Sequence, residues 1–387
     1  MKVLGIVAEY DPLHIGHEWH IAESRKAVSP DAVYIALSPC FKQRGELSLL
    51  SPMDRAACAI DAGADAVFAL PVLWTIRDAE HYALGAVALL TRLGITHLSF
   101  GAETPEPEKL KRIAALLEES PDAYTSRLRN HLASGIGFPA AVSAAVDECI
   151  PEAAGILQHP NNILAVCYLR ALIRLHSTVQ PIVIRRKGSY HSSAINPSFP
   201  SAAGLRSALR RGIWQPALAA MPAYTATRIQ RAFLDGHIPD DSALDMSLLH
   251  LLNTVDLSAM PDMTEGLDST IRKAARLTRS RAELVEALTG RRYPAARIRR
   301  ICAYALLGVT RDRLLSLSLP DRTLLLALRK KKEVTSMWRD LPVQIDSSFS
   351  RWQQSADPED VAAWQLWTGA CHLSSAQPFT RMLYTGE

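Results

Sequence analysis

No two of the six cysteines stand as a C-x-x-C pair. Cys40, Cys58, Cys149, Cys167, Cys302 and Cys371 are scattered along 387 residues, which argues against both a zinc site and a disulfide framework. No apolar run is long enough to span a bilayer, and the chain opens on a strand-like segment instead of a basic stretch leading into a signal-peptide core. A cytoplasmic location is the expectation. With 48% apolar and 21% charged residues, the composition is that of an ordinary globular protein. The length suits a large core and two domains.

One segment is short of acidic residues. Between Arg272 and Lys332, seventeen Lys or Arg stand against only Glu283, Glu286, Asp312 and Asp321. That segment carries +13 in a chain of net +4, so the remainder sums to −9. A charge run can be no more than a solvated helical face. A single basic block on an otherwise acidic chain is also the electrostatic footprint of a polyanion binder, and nucleic acid is the expected partner.

The stretch that organises the chain is Val3 to Ile21, VLGIVAEYDPLHIGHEWHI. Val3 to Val7 is a short apolar run without helical periodicity that stops at Tyr10-Asp11-Pro12, as a buried parallel strand reads. His14-Ile15-Gly16-His17 follows at the opening of a helix. Two histidines three apart share a helix face, and Gly16 admits close approach of a ligand. A helix N-terminus favours anions, so imidazoles there suit nucleotide phosphates. The tetrapeptide alone is equally compatible with ordinary turn histidines; its place after the first strand is what points to a site.

Strand-like and helix-like pieces then alternate: Ala32–Leu37, Ala66–Leu70, His97–Phe100 and Pro181–Ile184 read as strands, with helices over 14–27, 53–62, 79–93 and 163–175. This order predicts an α/β fold, a doubly wound parallel sheet. Ligands of such sheets bind beyond the carboxyl ends of strands. The loop Phe41 to Glu46 lies at that edge, where Arg44 stands out, as do Gly101, His159-Pro160-Asn161-Asn162 and Arg185-Arg186-Lys187. One of the two Asn is expected to cap the helix and the other to face the pocket. Ser201 to Arg206 opens a further helix with a hydroxyl, free amides and an Arg suited to a triphosphate tail. Beyond about residue 210 the pattern is mostly amphipathic helix, and a second, α-helical domain over 211–387 is expected after a first over 1–210.

The blocks GIVAEYDPLHIGHEWHI, FKQRGE, GADAVFALPV, HYALGAVALL, FGAE, HPNNILAVCYL, RRKGSYH and SAAGLR, in this order, and more weakly RRYPAARIRRICAYALLGVT and AAWQLW, resemble the bacterial tRNA(Met) cytidine acetate ligases. These belong to the H-x-G-H nucleotidyltransferase-like superfamily, with its Rossmann fold. The chain departs from that pattern at Pro39 and Cys40, at Ala69 in place of a usual Glu, and at Ala203, which removes a hydroxyl from the triphosphate site; these changes do not touch His14, His17, Gly101, Arg186 or Arg206.

The resemblance implies an enzyme that uses ATP to join acetate to the N4 amine of the wobble cytidine of elongator methionine tRNA through acetyl adenylate, releasing diphosphate and AMP. His14, His17 and Arg206, aided by Mg2+, are the implied catalytic groups on the phosphates. The implied ATP site comprises Val7, Ala8, Glu9, Tyr10, Asp11, Pro12, Leu13, His14, Ile15, Gly16, His17, Glu18, Trp19 and His20. Gly101, Asn161, Asn162, Arg186, Lys187, Ser201 and Arg206 complete it. No protein ligand for a metal is implied. In the basic region Arg291, Arg292, Arg297 and Arg300 are candidate tRNA phosphate contacts, and Tyr293 is either a stacking platform or core packing. A small-molecule adenylyltransferase of the same superfamily would leave the basic helices without a purpose. An RNA-binding protein with a decayed nucleotide site would not be expected to keep both histidines and Arg206.

Overall fold

The structure, a computed structural model, describes residues 1–186, 201–264, 266–290, 292–329, 332–336 and 338–371. Lys187 and Arg291 lie outside the described residues. The expected strands form at β1 (Val3–Ala8), β2 (Ala32–Leu37), β3 (Ala66–Ala69), β4 (His97–Ala102) and β5 (Gln180–Arg185). All five are parallel. The first helix, α1, spans Ile15–Val28.

Two further strands lie in the half of the chain that reads mostly as helix: β6 (Arg322–Leu328) and β7 (Gln344–Asp346). The sheet order is β5-β4-β1-β2-β3-β6-β7, with β6 antiparallel to β3 and β7 parallel to β6. The run Thr323-Leu-Leu-Leu-Ala-Leu carries no turn signal or alternation of its own, and a short apolar run of this kind cannot be told from buried helix by period. The partner, β3, decides it as strand.

The two faces of the sheet bury different side chains, as a period of two requires. Val3, Tyr34, Ala36 and Phe68 pack with the helices Ala79–Arg92 and Pro160–Arg174. Leu4, Ile6, Val33, Ile35 and Val67 pack with α1, the helix Pro52–Asp61, and Tyr304, Trp364 and Trp367 from the far end of the chain. The far end is pinned to the first half by polar contacts as well. Tyr304 donates to the Ile76 carbonyl at 2.7 Å, Trp367 to the Ser48 carbonyl at 2.9 Å, and Val72 N–H to Asp360 at 2.6 Å. A separate apolar cluster joins the helices Asp245–Thr254, Leu267–Leu277, Arg281–Leu288 and Ala295–Leu307.

The chain runs from β1 outward to β2 and β3, then returns to the other side of β1 for β4 and β5. The switch point therefore lies between the carboxyl ends of β1 and β4, where open α/β sheets leave a crevice. Val7-Ala8-Glu9 and Gly101 both end there.

Candidate functional site

A cleft of about 430 Å3 opens at this switch point. From the opening stretch it is lined by Val7, Ala8, Glu9, Tyr10, Asp11, His14, Gly16, His17, Trp19 and His20, and from elsewhere by Arg44, Gly101, Asn161, Arg186 and Arg206. Pro12, Leu13, Ile15 and Glu18 do not line it. Leu13 is buried in the core, and Glu18 accepts a hydrogen bond from Tyr224 at 2.9 Å.

The H-x-G-H residues build the helix end themselves. His14 is the N-cap of α1: its Nδ1 accepts the Gly16 N–H at 3.1 Å, while the His14 N–H donates to Nδ1 of His17 at 3.3 Å. This is a capping box made of imidazoles. The two rings stack with centroids 3.7 Å apart. A Cβ on Gly16 would come 3.0 Å from the His14 ring, tighter than ordinary contact, so a side chain here would press on the cap. With Nδ1 of each neutral ring accepting, the proton of each sits on Nε2, and both are donors.

Burial pushes His14 down to about 3 and His20 to about 4, the Arg186 charge adding to both, and holds His17 well below its ordinary value of 6.5. These rings are neutral in the fold but charged in the unfolded chain below about pH 6.5. A depressed folded pKa contributes stability that is complete above 6.5 and lost as pH falls toward the folded values. Unfolding free energy is thus expected to drop between pH 6.5 and 4. Urea titrations across that range check this, and His20→Asn should flatten the slope.

Around the rings lie cations held in place by carboxylates. Arg186 donates to the Asn161 side chain at 3.0 Å. Asn161 in turn donates to Glu103 at 2.5 Å, and the Asn162 N–H to the other Glu103 oxygen at 2.9 Å. The helix Pro160–Arg174 is therefore capped from outside by Glu103, correcting the expectation that an Asn caps it. Asn162 is fully buried and spends its side chain on Thr104 and the Ile156 carbonyl, outside the cleft. Gly101 meets no protein atom closer than 3.9 Å at the place of a Cβ, so its lack of a side chain leaves room in the cleft without being required by packing.

Arg206 rises from the helix Ala202–Arg210, whose N-cap Ser201 accepts from the Gly204 N–H at 3.0 Å. Ser201 is thereby occupied as a cap and does not line the cleft. The Arg206 guanidinium bonds to the Asp11 carbonyl and lies 3.6 Å from the Asp11 carboxylate. Asp11 is buried, 3.3 Å from Lys42. Lys42 reaches Glu46 at 3.0 Å, and Glu46 reaches Arg299 at 3.2 Å. Burial alone would push the Asp11 carboxyl up; the charges of Lys42, Arg206 and Arg55, with the Leu49 amide, outweigh it and hold it low.

Lys42, Arg55 and Glu103 carry no signal in the sequence that separates them from surface charges. Arg55 is fully buried and donates to the carbonyls of Glu9 at 2.7 Å and Ser38 at 2.8 Å.

In the basic region Arg292 is exposed and lies 5.4 Å from the Tyr293 ring. Arg297 lies 5.5 Å from the same ring while donating to the Asp262 carbonyl. Tyr293 packs on the helical cluster. Arg300 turns inward to the Asp262 carboxylate at 2.9 Å and is buried, so it does not face solvent as a phosphate contact must.

A crevice at the switch point, two Nε2–H donors at a helix N-terminus and flanking arginines define an H-x-G-H nucleotidyltransferase. Residues 1–362 match the family model described as HIGH Nucleotidyl Transferase. The chain is 30% identical to the tRNA(Met) cytidine acetate ligase of Fervidobacterium nodosum, over 95% of this chain and 92% of that protein. It is 34% identical to the one of Caldanaerobacter subterraneus subsp. tengcongensis, over 86% and 88%. The fold is similar to Thermotoga maritima TmcAL in its apo form, with a TM-score of 0.88 at 27% identity over 96% of this chain and 93% of that one. The same protein bound with alpha-thio ATP gives a TM-score of 0.85. The chain belongs to the tRNA(Met) cytidine acetate ligase family.

Proposed function

We propose that the protein binds ATP in the switch-point cleft and ligates acetate to the N4 amine of the wobble cytidine of elongator methionine tRNA. Acetate attacks the α-phosphorus, pyrophosphate leaves, and the cytidine amine then takes the acetyl group from acetyl adenylate, releasing AMP. The observation that carries this reading is the meeting of the imidazole-capped helix with Arg186 and Arg206 at one cleft, in a chain whose relatives are named for this reaction. His14 and His17 donate Nε2–H to phosphate oxygens, and Arg206, braced by Asp11, takes the charge that grows on the leaving pyrophosphate. Arg186, held by Asn161, faces the nucleotide.

Among the described residues no group of three His, Cys, Asp or Glu is placed to hold a metal ion. Of the two carboxylates that line the cleft, Asp11 is engaged by Lys42 and the Leu49 N–H, and Glu9 accepts the Gln43 N–H. The donor set does not make a metal cage, so magnesium, in this reading, arrives on the ATP phosphates.

Residues 1–210 supply this chemistry and 211–387 the basic tRNA surface, with β6 and β7 tying the second part to the sheet of the first. Arg292, Arg297 and Tyr293 belong to that surface. Arg292→Ala should weaken cognate and non-cognate tRNA alike and lower the salt slope of log K by about 0.7–1. Arg300→Ala should instead lower stability through the loss of the Asp262 pair and leave the slope unchanged. Filter binding across a salt series with a melting curve of each variant checks both.

The decisive assay combines ATP, magnesium, labelled acetate and an unmodified transcript of elongator methionine tRNA, followed by nucleoside analysis. N4-acetylcytidine that requires all four supports the reading. Its absence, with pyrophosphate release that ignores acetate, would remove it.

A further inference from the structure

The second half-reaction needs a group that takes a proton from the cytidine amine, whose lone pair is delocalised into its ring and whose attack is weak without one. From the geometry of the cleft we propose that Glu9 is that general base. The inference rests on the acetate-ligase reading above and deepens it.

Glu9 is the first residue beyond β1 and lines the cleft. Its Oε1 accepts the Gln43 N–H at 2.8 Å, and its own carbonyl is held by Arg55, so backbone and side chain are both fixed. The Gln43 side chain is itself anchored to the Arg77 carbonyl at 2.6 Å. A carboxylate held at one oxygen keeps acceptor capacity at the other.

The other groups lining the cleft are less suited to take a proton. His14 and His17 already accept backbone N–H at Nδ1 and present only a protonated Nε2. Nε2 of His20 shares a hydrogen bond with Ser99 at 3.2 Å. Asp11 is surrounded by Lys42, Arg206 and Arg55. The phenols of Tyr10, Tyr82 and Tyr168 are driven above their ordinary range by burial, with the Glu9 charge adding to the last two. Among the described residues lining the cleft, Glu9 and Asp11 are the carboxylates; the Asp11 carboxylate is paired with Lys42 and Arg206, whereas Glu9 meets Arg55 at its backbone carbonyl and not at its carboxylate.

The step balances. The N4 electron pair forms the C–N bond to the acetyl carbonyl carbon. The bond from that carbon to the phosphate oxygen of AMP breaks with its electron pair left on AMP, and the N4 proton passes to Glu9.

Glu9→Gln keeps an oxygen for the Gln43 N–H and removes the base. Two rates are measured: transfer from chemically prepared acetyl adenylate to the transcript, and acetate-dependent exchange of pyrophosphate into ATP. The proposal expects transfer to fall about 10²–10⁴-fold with exchange lowered about tenfold at most, and Glu9→Asp to recover part of the transfer. Equal loss in both rates, or transfer at the wild-type rate, overturns it. A wild-type protein that makes no N4-acetylcytidine would instead remove the parent reading, which separates the two failures.

Discussion

His17→Ala is expected to slow acetate-dependent pyrophosphate release by about 10²–10³-fold, the usual effect of losing one preorganised donor on a charge that grows in the transition state. The wild-type ring lines the cleft, and its Nδ1 is tied to the His14 N–H, which leaves Nε2–H as its donor. Part of the alanine effect is structural. Losing half of a capping box costs about 1 kcal/mol, and His17→Gln, which can still offer an acceptor to the cap, separates the two contributions. The double variant with His14→Ala should lose less than the product of the single effects, since the rings are stacked and share one helix end. Unaltered pyrophosphate release in His17→Ala would sink the assigned role.

The second large effect is on stability. Lys42→Met is expected to destabilise the fold by about 3–5 kcal/mol, because it leaves the buried Asp11 carboxylate without its nearest cation. The same substitution also takes a partner from Glu46, which Lys42 and Arg299 hold down at about 2 against its burial. Adding Asp11→Asn should recover a large part of the loss, and a double-mutant cycle measured by urea unfolding gives the coupling. A Lys42→Met protein as stable as the wild type would show that Arg206 and Arg55 suffice for Asp11. The nearby Gly45 has φ +76 and would bring a Cβ within 2.6 Å of the Arg299 carbonyl, so the loop and the helix Ala295–Leu307 touch backbone to backbone. The Asp11–Lys42–Glu46–Arg299 chain thus joins the cleft to the helical part where the two backbones are in close contact.

What the sequence determined by itself is what local pattern encodes. Apolar runs bounded by turns marked β1 to β5, H-x-G-H marked a helix opening after the first strand, and Ser201 to Arg206 marked the opening of a later helix. Each depends on neighbours within a few residues, where side-chain period and capping chemistry are decided. The uneven distribution of charge was likewise readable without any fold.

Which charges are buried, and whom they face, is set by contacts between distant parts of the chain. Lys42 and Arg44 stand two apart in one polar loop, yet Lys42 is buried against Asp11 and Arg44 is exposed at the cleft. Arg297 and Arg300 stand three apart in one basic run, yet Arg300 is buried against Asp262. Glu103 caps a helix that begins 57 residues later, and β6 is a strand because β3, more than 250 residues earlier, offers it an edge. These partners are fixed by long-range packing, because burying a charge or a backbone amide is tolerable only where the fold brings its counterpart. A chain read one window at a time contains the groups but not the pairings.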